Sequence, residues 1–220
     1  MANAFIHALD KFYAFMDEVI SHRARLALVI VCVPLALSPL YPLWRISMEA
    51  PQYPYGLSID IFAHKLVGGH EDRDLREINM LNHYIGMHTI DEQDLTELGW
   101  MPFAVGILVI LTLRVAAIGN VRMLIDLAVI VLYTLGFMVA RFVYRLYSYG
   151  HMLSPTAAFK VEPFTPAILG TKQIANFTTH SFPQLGSILL LSFALGVACI
   201  TLWQLIRGRR AAMARPSWRP

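Results

Sequence analysis

His83 and Met87 stand four residues apart in the string LNHYIGMH, and His88 closes it. On a helix, residues at i and i+4 share a face, so this imidazole and thioether lie within reach of one ion. Thioether sulfur is soft and prefers Cu(I), whereas imidazole suits copper, zinc and iron. Oxygen-rich magnesium and calcium sites have no use for methionine, and a closed zinc site normally draws on cysteine. His151 and Met152 form a second imidazole–thioether pair later in the chain, and His180 follows. The pattern points to copper held by His83, Met87 and His151, with His88 and Met152 as further candidate ligands. The plainer alternative for the same spacing is a packing face with solvated histidines.

The elements that must position these residues are membrane spans. Of 220 residues, 56% are hydrophobic, and the mean hydropathy is +0.52. A helix needs about 20 apolar residues to cross the roughly 30 Å hydrocarbon core. Four runs qualify, at 26–44, 100–118, 123–145 and 185–206. The first has a long leading segment, and Pro39 follows its small-residue site Ala36-Leu37-Ser38, so it reads as an uncleaved anchor. The fold class expected is an all-α membrane protein: a four-transmembrane-helix bundle with a small extracytoplasmic α+β insertion between the first two spans.

Charge placement gives the expected orientation. Arg23 and Arg25 precede the first span, Arg114 and Arg122 flank the turn between the second and third, and Arg207, Arg209, Arg210, Arg215 and Arg219 follow the fourth. The positive-inside rule then puts both termini in the cytoplasm. Segments 45–99 and 146–184 lie outside and hold six of the eight histidines; the spans hold none. The first segment carries ten acids against four bases, which favours cations or a basic partner. The basic tail, 207–220, touches anionic lipid, and nothing here calls for nucleic acid.

Local patterns fill in the rest. Residues 1–22 read as an amphipathic helix on the cytoplasmic surface, with Phe5, Leu9, Phe12, Met16 and Val19 recurring at helical spacing. Pro34, Pro39 and Pro42 predict that the outer third of the first span is kinked or unwound. Trp44 and Trp100 mark the outer interface. Arg45 to Glu49 and Leu57 to Phe62 alternate around a Pro/Gly turn, so they predict a hairpin. Leu75, Ile78, Leu81 and Ile85 predict a helix over 74–87; a short helix is expected at 91–98 and an interfacial one at 172–177.

Other chemistry finds little support. Cys32 and Cys199 both fall in spans, which leaves no external disulfide or CxxC site. A c-type haem would need CxxCH, and a bis-histidine haem would need histidines in the spans. No catalytic constellation is visible. Arg141 and Arg145, at i and i+4 near the outer end of the third span, predict snorkelling or pairing with an external acid. Arg122 is the expected partner of Asp126, and Ser192 with Gly196 predicts close helix packing.

The strings APQYPYGL, INMLNHYIGM, YSYGHML and LGTKQIANF, taken together, resemble a family of small four-span bacterial membrane proteins encoded near genes for nitrous oxide reductase and its copper-maturation factors. The similarity spans about residues 40–180. It implies copper handling, and carries over to Asn82, His83, Tyr84, Gly86 and Met87 and to Tyr149, Gly150, His151, Lys160, Lys172 and Asn176. Asn82, Tyr84, Tyr149, Lys160, Lys172 and Asn176 are expected to orient ligands or meet a partner. His88, Met152 and His180 lie outside its motifs. Besides an enzyme or transporter in its own right, for which no constellation is visible, two functions remain open. One is a copper-binding protein that assists maturation of a periplasmic or membrane cuproenzyme. The other is an assembly subunit of a membrane-bound respiratory or oxidase complex, with no metal of its own.

Overall fold

The computed structural model describes residues 2–174 and 177–214. Four helices are long and apolar enough to cross a membrane: His22–Leu40, Thr96–Ile118, Val121–His151 and Leu185–Arg210. The chain is a multi-pass helical membrane protein. In chain order its helices are α1 (Ala2–Met16), α2 (His22–Leu37), α3 (Arg73–Tyr84), α4 (Thr96–Ile118), α5 (Val121–His151) and α6 (Leu185–Ala214). Its strands are β1 (Trp44–Ala50), β2 (Tyr53–Ile61), β3 (Leu66–Gly68), β4 (Gly170–Ile174) and β5 (Phe177–Pro183).

The described residues divide into two compact units, one drawn from 1–36, 106–134 and 191–220, the other from 37–105 and 135–190. In the first, Leu28, Leu108, Leu124, Phe193 and Val197 are almost wholly buried. The buried hydroxyl of Thr112 donates to the Leu108 carbonyl at 2.7 Å, which satisfies it inside the helix. At Gly196 a Cβ would come 2.5 Å from Val31 Cγ1, so α2 and α6 touch where a side chain is missing. The 17–25 segment is tied to the turn before α5. Arg122 pairs with Asp17 at 3.0 Å, not with the expected Asp126, and Ile20 N–H donates to the Gly119 carbonyl.

The second unit is built on an antiparallel sheet of order β3-β2-β1-β5-β4. The β1–β2 hairpin pairs Trp44 with Ile61 and Ser47 with Ser58. Leu57 and Ile59 of β2 face Ile78 of α3, with Leu66 and Leu98 closing the core. Each such side chain contributes about 2 kcal/mol by leaving water. Tyr53 donates to Glu77 Oε2 at 2.9 Å; burial, helped by that carboxylate, pushes its phenol up. Before α3, three successive residues, His70, Glu71 and Asp72, have left-handed φ of 49°, 60° and 63°, each costing about 1–2 kcal/mol. The buried Asp74 holds this turn, accepting from Ser58 N–H at 2.9 Å and lying 2.8 Å from His70 Nδ1.

Several elements differ from the pattern-based expectation. The sheet is not confined to the 45–99 insertion, because β5 pairs with β1 in full register, Ser47 opposite His180. Of the 172–177 stretch, expected as a helix, residues 172–174 lie in β4 and Phe177 opens β5, which pairs with it antiparallel. The 91–98 helix is absent as such: α4 starts at Thr96. The third span, expected to end at 145, runs on to His151, so the start of the 146–184 segment forms the last turns of α5. The prolines of the first span act as expected: its α-helix stops at Leu37, and one 3-10 turn, Ser38–Leu40, follows around Pro39.

Candidate metal groove

The helix α3 ends at Tyr84, three residues short of Met87. It ends because Gly86 adopts φ +78°, a value that glycine reaches without strain. Gly86 N–H then reaches back to the His83 carbonyl at 3.2 Å, and Met87 N–H to the Asn82 carbonyl at 2.8 Å. His83 and Met87 are therefore neighbours through a helix-stop turn, not through one helical face. The turn leaves Asn82 buried at 5% exposure beneath it. The Asn82 side-chain Nδ2 has no hydrogen-bond partner among the described residues.

A second stretch of chain closes on this turn. Ser154 N–H donates to the Gly86 carbonyl at 2.7 Å, and Phe159 N–H to the Tyr84 carbonyl at 3.0 Å. The fit requires glycine twice over, since a Cβ on Gly86 would stand 2.8 Å from Ala157 Cβ and 2.9 Å from the Ser154 carbonyl oxygen. The two histidine-bearing segments thus meet, by backbone hydrogen bonds here and by the β1–β5 pairing elsewhere.

Between them lies an open groove of about 600 Å³. His83, Met87, His88 and Met152 all line it, with Tyr84 and Ser154. The Met152 sulfur accepts a hydrogen bond from Ser148 Oγ at 3.2 Å, which orients the thioether and leaves its second lone pair. His151 is not among the lining residues. Its ring stacks on Tyr147 at 3.8 Å, and its Nδ1 lies 2.9 Å from the Tyr147 carbonyl oxygen, a consequence of α5 running on to that residue. His180 sits on β5, with Nδ1 2.8 Å from Thr171 Oγ1 and Nε2 3.7 Å from Glu49.

The remaining candidates are spread around this framework. Tyr84 packs its ring near Phe159. Tyr149 donates to the Thr89 carbonyl at 3.4 Å, tying α5 to the stretch after His88. Lys160 is exposed, and Lys172 on β4 donates to the Thr165 carbonyl at 2.6 Å. Asn176 lies outside the described residues. Among the described residues no group of three or more His, Cys, Asp and Glu side chains is placed to hold a metal ion. The groove's donors are two imidazoles and two thioethers, so methionine, not a third imidazole or a carboxylate, would complete a ligand set.

A second polar cluster has a clear partner structure. Glu97, 7% exposed at the start of α4, accepts from Arg141 Nη2 at 2.6 Å and from Arg145 Nη2 at 3.0 Å. The sequence indicated an acidic partner for these arginines but not which one. Comparison of the chain with known protein families, characterised proteins and solved structures gives no match.

Proposed function

We propose that this chain is a copper-handling membrane protein of the bacterial inner membrane that carries Cu(I) as cargo in the groove and assists maturation of a cuproenzyme. The observation that carries this reading is the donor set: His83, His88, Met87 and Met152 line one groove, and soft thioethers beside imidazoles favour Cu(I) over harder cations. The family resemblance of the LNHYIGM and YGH strings points the same way. The arginine distribution supports cytoplasmic termini and a periplasmic groove. Ser148 positions the Met152 sulfur, and Asn82 holds the turn that presents Met87. An open groove at the protein surface suits a metal that is handed on.

The test is elemental analysis of detergent-purified protein reconstituted anaerobically with Cu(I). About one copper per chain is expected, lost in His83→Ala/Met87→Ala and in His88→Ala/Met152→Ala, and kept in His151→Ala. Copper retained by both double variants sinks the reading. No copper on the wild type, together with one stoichiometric partner in the preparation, moves the assignment to an assembly subunit.

A further inference from the structure

Ser21, His22 and Arg23 at the start of α2 and Trp203 and Arg207 late in α6 line one cavity of about 530 Å³. All five belong to the first compact unit. Two nearby arginines are already engaged: Arg25 donates to the Ala117 carbonyl, and Arg122 pairs with Asp17. His22, Arg23 and Arg207 enter no ion pair among the described residues, and no acidic side chain lines the cavity. The two guanidinium groups that line this open space, Arg23 and Arg207, favour an anion between them.

The surroundings specify what kind of anion. On α6 the exposed Leu202 and Ile206 give way to Arg207, Arg209 and Arg210, so the cavity sits where a spanning helix passes from apolar to charged. Trp203, 41% exposed, has the amphipathic ring that favours such a boundary. One turn into α2, Leu26 is exposed too. We propose that this cavity binds the phosphate headgroup of an anionic phospholipid. The guanidinium groups of Arg23 and Arg207 present paired donors to the phosphate oxygens, Trp203 meets the glycerol region, and the exposed leucine and isoleucine side chains meet the acyl chains. Free phosphate offers the same oxygens but nothing for those apolar residues to cover.

Thermal unfolding of the full chain in non-ionic detergent, titrated with phosphatidylglycerol in mixed micelles, tests this. The Tm is expected to rise with phosphatidylglycerol, and not with phosphatidylcholine or with inorganic phosphate at equal concentration. Arg23→Gln/Arg207→Gln weakens the titration midpoint about thirtyfold, and Arg207→Gln alone about fivefold, should the double variant not fold. Arg209→Gln/Arg210→Gln removes two positive charges as well, both from α6 and outside the cavity, and leaves the midpoint nearly unchanged. Equal loss in the two double variants, no response to phosphatidylglycerol, or an equal response to inorganic phosphate would each overturn the proposal.

Discussion

Glu97 carries one negative charge between two guanidinium groups four residues apart on α5. Its side chain is 9% exposed, whereas Arg141 and Arg145 keep 32% and 28%. The carboxylate therefore has the most to lose if the cluster is broken, and Arg145 Nε is buried without a partner among the described residues even when it is intact. Glu97→Ala leaves two uncompensated cations at the end of a span. It is expected to cost about 3 kcal/mol, since removing one member of a buried pair strands the others. Glu97→Gln, which keeps an acceptor, costs less. Thermal unfolding in detergent reads both, and an unchanged Tm in Glu97→Ala would mean the cluster carries no stability. Pairing with an external acid was one of two readings of Arg141 and Arg145, snorkelling being the other. The identity of that acid was not legible, because Asp91, Glu92 and Asp94 stand just before the same span and only folding selects among them.

At the scale of elements, the α3 stop organises the groove. Gly86→Ala puts a methyl group against Ala157 and Ser154 at a left-handed φ, a local cost of about 1–3 kcal/mol. The 154–159 stretch should loosen while the sheet holds. Hydrogen exchange is then expected to speed at the amides of Ser154 and Phe159, with the β1 and β5 amides still protected. Unaltered exchange at those two amides would show that the turn does not hold the wall. The hairpin and α3 could be read in the sequence because Leu57, Ile59, Leu75, Ile78 and Leu81 repeat at strand and helix periods. The strand β5 could not. Its inward residues are Thr179 and Ser181, 6% and 0% exposed, so it shows no hydrophobic alternation. Ser181 is tolerated there because it accepts from the Trp44 indole at 2.7 Å and donates to the Ile168 carbonyl at 3.1 Å. The groove was legible only in part. Met87 and His83 were expected together for a helical reason that the structure replaces with a turn. Met152 was a further candidate through its pairing with His151, and His151 itself was expected beyond the third span, whose helix runs on to include it.

For the molecule as a whole, the spans expose long apolar faces, with Leu26, Leu132, Phe137, Leu195 and Leu202 all more than half exposed. In water such faces would aggregate; in hydrocarbon they are the solvent-matched surface. Cys199 lies exposed on α6, while Cys32 is buried on α2. In a Cys32→Ala background in lipid nanodiscs, a nitroxide at Cys199 is expected to collide more with dissolved oxygen than with a water-soluble nickel relaxant. The reverse ranking would mean that this face of α6 is wet. Spans of this kind are the most legible level of the chain, because length and hydropathy alone define them.

The β1–β5 pairing also sets a timetable for the growing chain. Trp44 and Ser181 are 137 residues apart, so at about 5–20 residues per second the ribosome delivers the second roughly 7–30 seconds after the first. Throughout that delay the strand destined for the middle of the sheet has one bare edge, of the kind that recruits stray strands. The Trp44 indole likewise waits for its hydroxyl. That edge closes only when β5 arrives, just ahead of the last span.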